Sequence, residues 1–264
     1  MPGRRGVSAI VREVKSRPSA IVFLAVPDGA VTELATRFAA AGSGIPRGVA
    51  FAHVSGALEL AALKPLRARH AVGSFHPLQS FPEARPPAAF RGIVVAVDAS
   101  SEALERRLAA LARGLGARPK HVDDSRRVLY HAAAVFASNY ADVLLDVAVG
   151  LLEAAGWSER EAVGGLGALA EGALLNVRKR GPVAGLTGPI RRGDAGTVKR
   201  HIAALGALEA AGHPGRPHLV DLYRMLGAIA LEIAKEAGLD SAAAEPVARA
   251  LTRKVAATRR RRRA

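Results

Sequence analysis

The chain of 264 residues has no cysteine. Disulfides, zinc–thiolate sites and thiol nucleophiles are therefore excluded, although this alone does not fix the compartment. Aromatic residues are scarce at 4%, against 50% hydrophobic residues rich in alanine, leucine and valine. That balance favours helices and tightly packed buried strands over a β-sandwich. No apolar run approaches the ~18 residues that a membrane span needs. The opening MPGRRGVSAIVREVKSR is basic, but it lacks the apolar core and the small-residue cleavage site of a secretory leader. The expectation is a soluble cytoplasmic protein with no membrane partner.

Acidic residues are also few, 23 against 38 lysines and arginines, which gives a formal charge of +15. The excess sits at the ends. Arg253, Lys254 and Arg259 to Arg263 carry seven charges with no acid after them, and residues 1–17 carry a net four. The remainder is only mildly basic. A basic run at a terminus touches phosphate without specificity, so residues 253–264 read as a solvated tail with no specific nucleic-acid partner.

What is present alternates. Ala20–Val26, AIVFLAV, lies between Arg17-Pro18 and Pro27-Asp28-Gly29. A short apolar run between breakers reads as a strand buried on both faces. Val31–Ala41 reads as a helix, Gly48–His53 as a strand, and Leu58–Arg69 as mostly helical despite Pro65. Strands at His70–Phe75, Gly92–Val97 and Ala117–Val122 follow, with a proline-rich loop at 81–90 and a helix at Ser101–Gly114. Such alternation implies a parallel sheet covered on both faces. After Asp123-Asp124 no strand pattern remains. One long helix is expected from Ser125 to about Ala155, capped by Asp123, Asp124 or Ser125 and ended by Gly156. Further helices are expected at about 158–180, 194–211, 217–238 and 241–257. The expected organisation is an α/β domain at 1–122, an all-helical domain at 123–252 and the basic tail.

Five segments then point to a family: LAVPD (24–28), HVSGAL (53–58), GSFHPLQSF (73–81), YHAAAVFASNY (130–140) and LTGPIRRGD (186–194). In order and approximate spacing they resemble bacterial Rossmann-like proteins whose C-terminal half is domain of unknown function 2520. That group is similar to the 6-phosphogluconate dehydrogenase, hydroxyisobutyrate dehydrogenase and pyrroline-5-carboxylate reductase superfamily. The resemblance covers roughly residues 18–240, and its last two segments are the specific ones. It implies a Rossmann-like sheet followed by a 6-phosphogluconate-dehydrogenase-like helical domain. It also implies NADP or NAD as cofactor, a small-molecule substrate in a cleft between the domains, and a homodimer formed through the helices.

The family normally opens with a strand, a Gly-x-Gly-x-x-Gly turn, a helix and a second strand. Glycines in that turn let the backbone approach a pyrophosphate at a helix N-terminus. This sequence has no such turn. Gly42-Ser43-Gly44 and Gly164-Gly165-Leu166-Gly167 neither follow a strand nor open a helix in the expected pattern. Roughly 30–40 residues are absent by this comparison, with residues 7–16 left from the helix before AIVFLAV. A mis-assigned start or a truncated chain is expected ahead of a natural short form, because AIVFLAV would otherwise form an exposed apolar edge.

Candidate residues follow from position and from the resemblance. The turn after a parallel strand is where open α/β sheets bind ligands. There the backbone of Ala25, Val26 and Pro27 would line the cofactor's ribose and phosphate side, while Asp28 either joins them or simply caps the next helix. Ser55 and Gly56 permit close approach of a nicotinamide ring, or form an ordinary capping turn. His76 and Gln79 can hydrogen-bond a polar substrate, or serve the structure alone. On the long helix His131, Ser138 and Asp142 lie at i, i+7 and i+11, nearly one face, with Asn139 beside them. The resemblance gives His131 the acid/base place that relatives fill with lysine, and Asn139 the orienting one. A satisfied inter-helix hydrogen bond is the alternative. Thr187 and Arg191 flank a Gly-Pro turn, where arginine suits a carboxylate or phosphate. The reading is thus an oxidoreductase-like protein acting on a small anionic substrate; a non-catalytic binding protein on the same scaffold is the rival.

Overall fold

The computed structural model describes residues 4–212 and 218–252, so the arginine tail and the His213-Pro214-Gly215 breaker lie outside the described residues. The chain divides into two compact units, residues 1–142 and 143–264.

The first unit is built on a five-stranded sheet with strand order β1-β2-β3-β4-β5. The strands are β1 (Ile21–Leu24), β2 (Ala50–His53), β3 (Val72–Pro77), β4 (Val94–Ala99) and β5 (Arg118–His121). Strand β2 is buried at all four positions, as expected of an apolar run inside a parallel sheet. Strands β1, β2 and β3 run parallel, with Leu24 beside His53 and His53 beside Ser74. Helices α1 (Arg4–Lys15) and α2 (Asp28–Ala40) and a 3-10 segment at Leu60–Leu66 belong with one face, around Val14, Val31, Phe38, Phe51, Leu63 and Val72. Helix α3 (Glu102–Gly114) covers the other through Leu104 and Leu108, against Ala52, Val95 and Val97. Ser101 caps α3 by accepting the Leu104 amide.

Two expectations need correction. The sheet is not wholly parallel, because β4 runs antiparallel to β3 while β5 is parallel to β4. A parallel connection needs a crossover, usually a helix, and the proline-rich 78–92 stretch supplies only a loop with one 3-10 turn. The long helix is also broken. A 3-10 turn at Asp124–Arg126 leads into α4 (Arg127–Ala137), and α5 (Asn139–Ala154) follows Ser138, whose φ of −121° and ψ of −75° leave the helical region. Strands end near 122 as read from the sequence, whereas the compact units divide within α5.

The second unit holds α6 (Glu159–Gly185), α7 (Ala195–Ala210), α8 (Leu219–Glu236) and α9 (Ser241–Leu251). Ser158 and Glu161 form a reciprocal capping box for α6, and Asp194 caps α7 by accepting the Thr197 amide. Gly181, with φ of 80°, interrupts α6 just before Pro182. Val198, Leu231, Ala244, Val247 and Leu251 form the small core of α7, α8 and α9. The stretch Asp124–Ala154 is long and apolar enough to cross a membrane by length and composition, though His131, Asn139, Asp142 and Asp146 interrupt it.

Candidate functional site

The carboxyl ends of β1, β2 and β3 emerge on one edge of the sheet and carry most of the residues singled out in the sequence. After β1, Asp28 does not cap α2: Pro27 holds the capping position and Asp28 is the first helical residue. Its carboxylate instead accepts a 2.9 Å hydrogen bond from the Ser55 hydroxyl after β2. Ser55 Oγ in turn accepts the amides of Ala57 and Leu58 at 3.1 and 3.0 Å. Two turns that are distant in sequence are thereby tied together.

Gly56 lies against the imidazoles. A Cβ there would stand 2.7 Å from His131 Cδ2 and 2.8 Å from both Cε1 and Nε2 of His76. Glycine is required at this point by close approach. His76 Nδ1 shares a 2.8 Å hydrogen bond with the Tyr130 hydroxyl, and the His76 and His131 ring centroids are 6.2 Å apart. Burial, then the positive fields of His131 and Arg127, hold the pKa of His76 down at about 4, so the ring is neutral near pH 7. Burial also raises the Tyr130 phenol above its usual range.

A cavity of about 580 Å³ opens beside these rings, lined by His76, Gln79, Tyr130, His131, Ser138 and Asn139 among others. Its size falls within the range of small-molecule sites. Five residues proposed from sequence meet there. Asp142 does not: it is exposed and lies beyond the break at Ser138. Ala25, Val26 and Pro27 line a second cavity of about 400 Å³ with Glu33 and Arg37. Thr187 and Arg191 belong to the second unit, where the Arg191 guanidinium donates to the Ala237 carbonyl at the end of α8.

Sequence reading missed Tyr130, Asp124 and Arg127. Tyr130 adjoins His131 but sits about 100° around the helix, off the face first considered. Asp124 accepts the Leu60 amide on both carboxylate oxygens, at 3.0 and 2.9 Å. Arg127 lies at i−4 from His131, a spacing that marks it as a neighbour on the same face. It is wholly buried and bonds Ser74. Beneath the site His53 is also wholly buried, its ring nitrogens making no well-aligned hydrogen bond among the described residues, and burial first and then Arg127 hold its pKa at about 4. Elsewhere Asp98, Glu105 and His121 bring three potential metal-ligand atoms within 4.8 Å of one another, a cluster that no spacing in the sequence signalled.

A Rossmann-type sheet with its polar residues at the carboxyl edge, followed by helices, defines the class. The chain belongs to the family described as domain of unknown function 2520, whose family model matches residues 93–229. A Rossmann-like domain matches residues 6–77. Among solved structures, a Thermotoga maritima protein is similar at 24% identity with a TM-score of 0.65, covering 82% of this chain and 79% of its own. A Bacteroides fragilis protein described as a candidate NADP oxidoreductase is similar at 20% identity with a TM-score of 0.64, covering 88% and 86%. At these identities the likeness is one of fold. No curated protein sequence matches the chain.

Proposed function

We propose that the chain is an NAD(P)-dependent oxidoreductase-like protein acting on a small, anionic substrate at the carboxyl edge of β1–β3. The observation that carries this reading is the convergence of His76 and His131 on Gly56, with Tyr130 bonded to His76, beside a cavity that also offers Gln79, Ser138 and Asn139. The space over Gly56 is filled by the two imidazoles, so a nicotinamide ring would lie beside them, in the cavity they line. The Ser55 turn and the backbone of Ala25–Pro27 would hold the ribose side of a dinucleotide. The pyrophosphate has no glycine-rich cradle in this sequence. When bound, a nicotinamide would supply or accept the hydride. The chain's own residues do the rest. His131 delivers or removes the proton at the substrate heteroatom, Asn139 and Gln79 orient it, and Tyr130 fixes the His76 ring through Nδ1.

His131→Ala is expected to lower NADPH-dependent turnover of a small 2-oxo or imino acid by ~10²-fold or more while cofactor binding persists. Unchanged turnover would remove His131 from the reaction. A second reading is a non-catalytic binding protein on the same scaffold. It predicts ligand binding without turnover in wild type and variant alike.

The functional form we propose is a cytoplasmic homodimer. Helix α6 buries only Ala162 along its 27 residues, and α5 buries none. Val163, Leu169, Leu174, Leu175, Met225 and Ile229 are all exposed. Sedimentation should give twice the chain mass, and Leu169→Arg with Ile229→Arg should give monomers. A monomeric wild type at tens of micromolar contradicts the dimer.

A further inference from the structure

Arg127 begins α4 with its side chain fully enclosed. Its Nη2 donates to Ser74 Oγ at 2.5 Å and stands 3.4 Å from the Val122 carbonyl. Nε is 3.4 Å from Asp124 Oδ1, an ion pair without an aligned hydrogen bond, and Nη1 has no partner among the described residues. This is an expensive place for a cation. Burying a guanidinium costs several kcal/mol of hydration, and a helix N-terminus repels positive charge. Compensation comes chiefly from Asp124, which is itself one-third exposed.

The arrangement connects every element of the site. Ser74 lies on β3 two residues before His76. Asp124 accepts the Leu60 amide and so holds the end of the turn that contains Ser55 and Gly56. One helical turn beyond Arg127, at i+3 and i+4, α4 presents Tyr130 and His131. We infer that Arg127 is a positioning residue: it fixes α4 against β3 and the 55–60 turn, so that Tyr130 and His131 meet His76 over Gly56. The inference deepens the proposed function, since it treats that meeting point as the reacting site.

Its charge acts in the same place. The titratable groups facing His76 are Tyr130, His131 and Arg127 from α4 and Asp28 from α2. Arg127 and His131 oppose protonation of His76, and Asp28 favours it. Removing Arg127 therefore loosens the Tyr130 contact and makes His76 easier to protonate.

Histidine-selective NMR on the full chain tests this without cofactor or substrate, so its outcome is independent of whether the protein proves to be an oxidoreductase. In Arg127→Met the His76 midpoint should rise by about one pH unit, and the downfield signal of the His76–Tyr130 hydrogen bond should vanish. His70, bonded to the Val49 carbonyl, should not move. Arg127→Lys keeps the charge, so its midpoint should stay low while the hydrogen-bond signal weakens. A folded Arg127→Met with both His76 signatures unchanged overturns the inference. If that variant does not fold, Ser74→Ala, which removes the fixing hydrogen bond alone, should weaken the Tyr130 signal; an unaltered signal there overturns it equally.

Discussion

Gly56→Ala should dismantle the site more completely than loss of either histidine. The new methyl carbon falls 2.7 Å from His131 and 2.8 Å from His76, distances that real side chains do not tolerate. The His76 ring cannot yield freely, since Tyr130 holds it through Nδ1, and His131 can move only by leaving its place beside it. Overpacking of this kind costs about 1–3 kcal/mol. A displacement near 1 Å at a reacting centre costs about 10²-fold in rate. Urea unfolding should show the first loss, and the disappearance of the His76–Tyr130 hydrogen-bond signal should show the second. Gly29→Ala is the control. It lies in the first turn of α2, and a methyl group added there would meet nothing within 4 Å, so the substitution should be neutral or stabilise by about 0.5–1 kcal/mol. Equal behaviour of the two alanine variants would remove the close-approach argument for Gly56.

Acid should weaken the fold well before the carboxylates are exhausted. His53 and His76 both have pKa values held at about 4 in the folded chain, against 6.5 when exposed. Between those values the unfolded chain binds more protons than the folded one, so stability rises with pH. The contribution is complete above about pH 6.5, falls as the pH drops through the window and levels off below about pH 4. For the wholly buried His53 this amounts to about 3 kcal/mol, and the half-buried His76 adds less. Thermal unfolding should therefore shift down steeply between pH 7 and 4.5. His53→Leu should flatten that slope and raise stability at acid pH, since it removes the buried ring that must take up a proton there. Parallel pH profiles for wild type and His53→Leu would contradict the assignment.

Much of this was legible from residue pattern. Strands β1, β2 and β4 lie where an apolar run stands between breakers, the signature of a buried strand, whereas β5 is a polar, mostly exposed Arg-Pro-Lys-His. The family resemblance pointed to His131 and Asn139, a strand end to His76 and helix periodicity to Ser138, and all four line one cavity. Three features escaped for physical reasons. The reversal of β4 depends on what the 78–92 connection can span, and strand patterns carry no direction. The break at Ser138 is invisible in an alanine-rich stretch without proline or glycine, and it removes Asp142 from the face that periodicity gave it. Arg127 looked like one more surface charge in Ser125-Arg126-Arg127, set apart from Arg126 only by its spacing of four from His131, which carries no sign of burial. Likewise Asp28 carries the signature of a helix cap, yet its partner, Ser55, comes from the neighbouring strand's turn.

The most direct test of the central claim is a chemical-shift titration of the full chain with NADPH and with NADH, following the Gly56 amide and the ring protons of His76 and His131. A nicotinamide received beside His76 and His131 predicts that all three move together and saturably with at least one of the two nucleotides, and that Gly56→Ala, by displacing the two rings, abolishes the effect. Three resonances that stay fixed at millimolar concentrations of both nucleotides would contradict it.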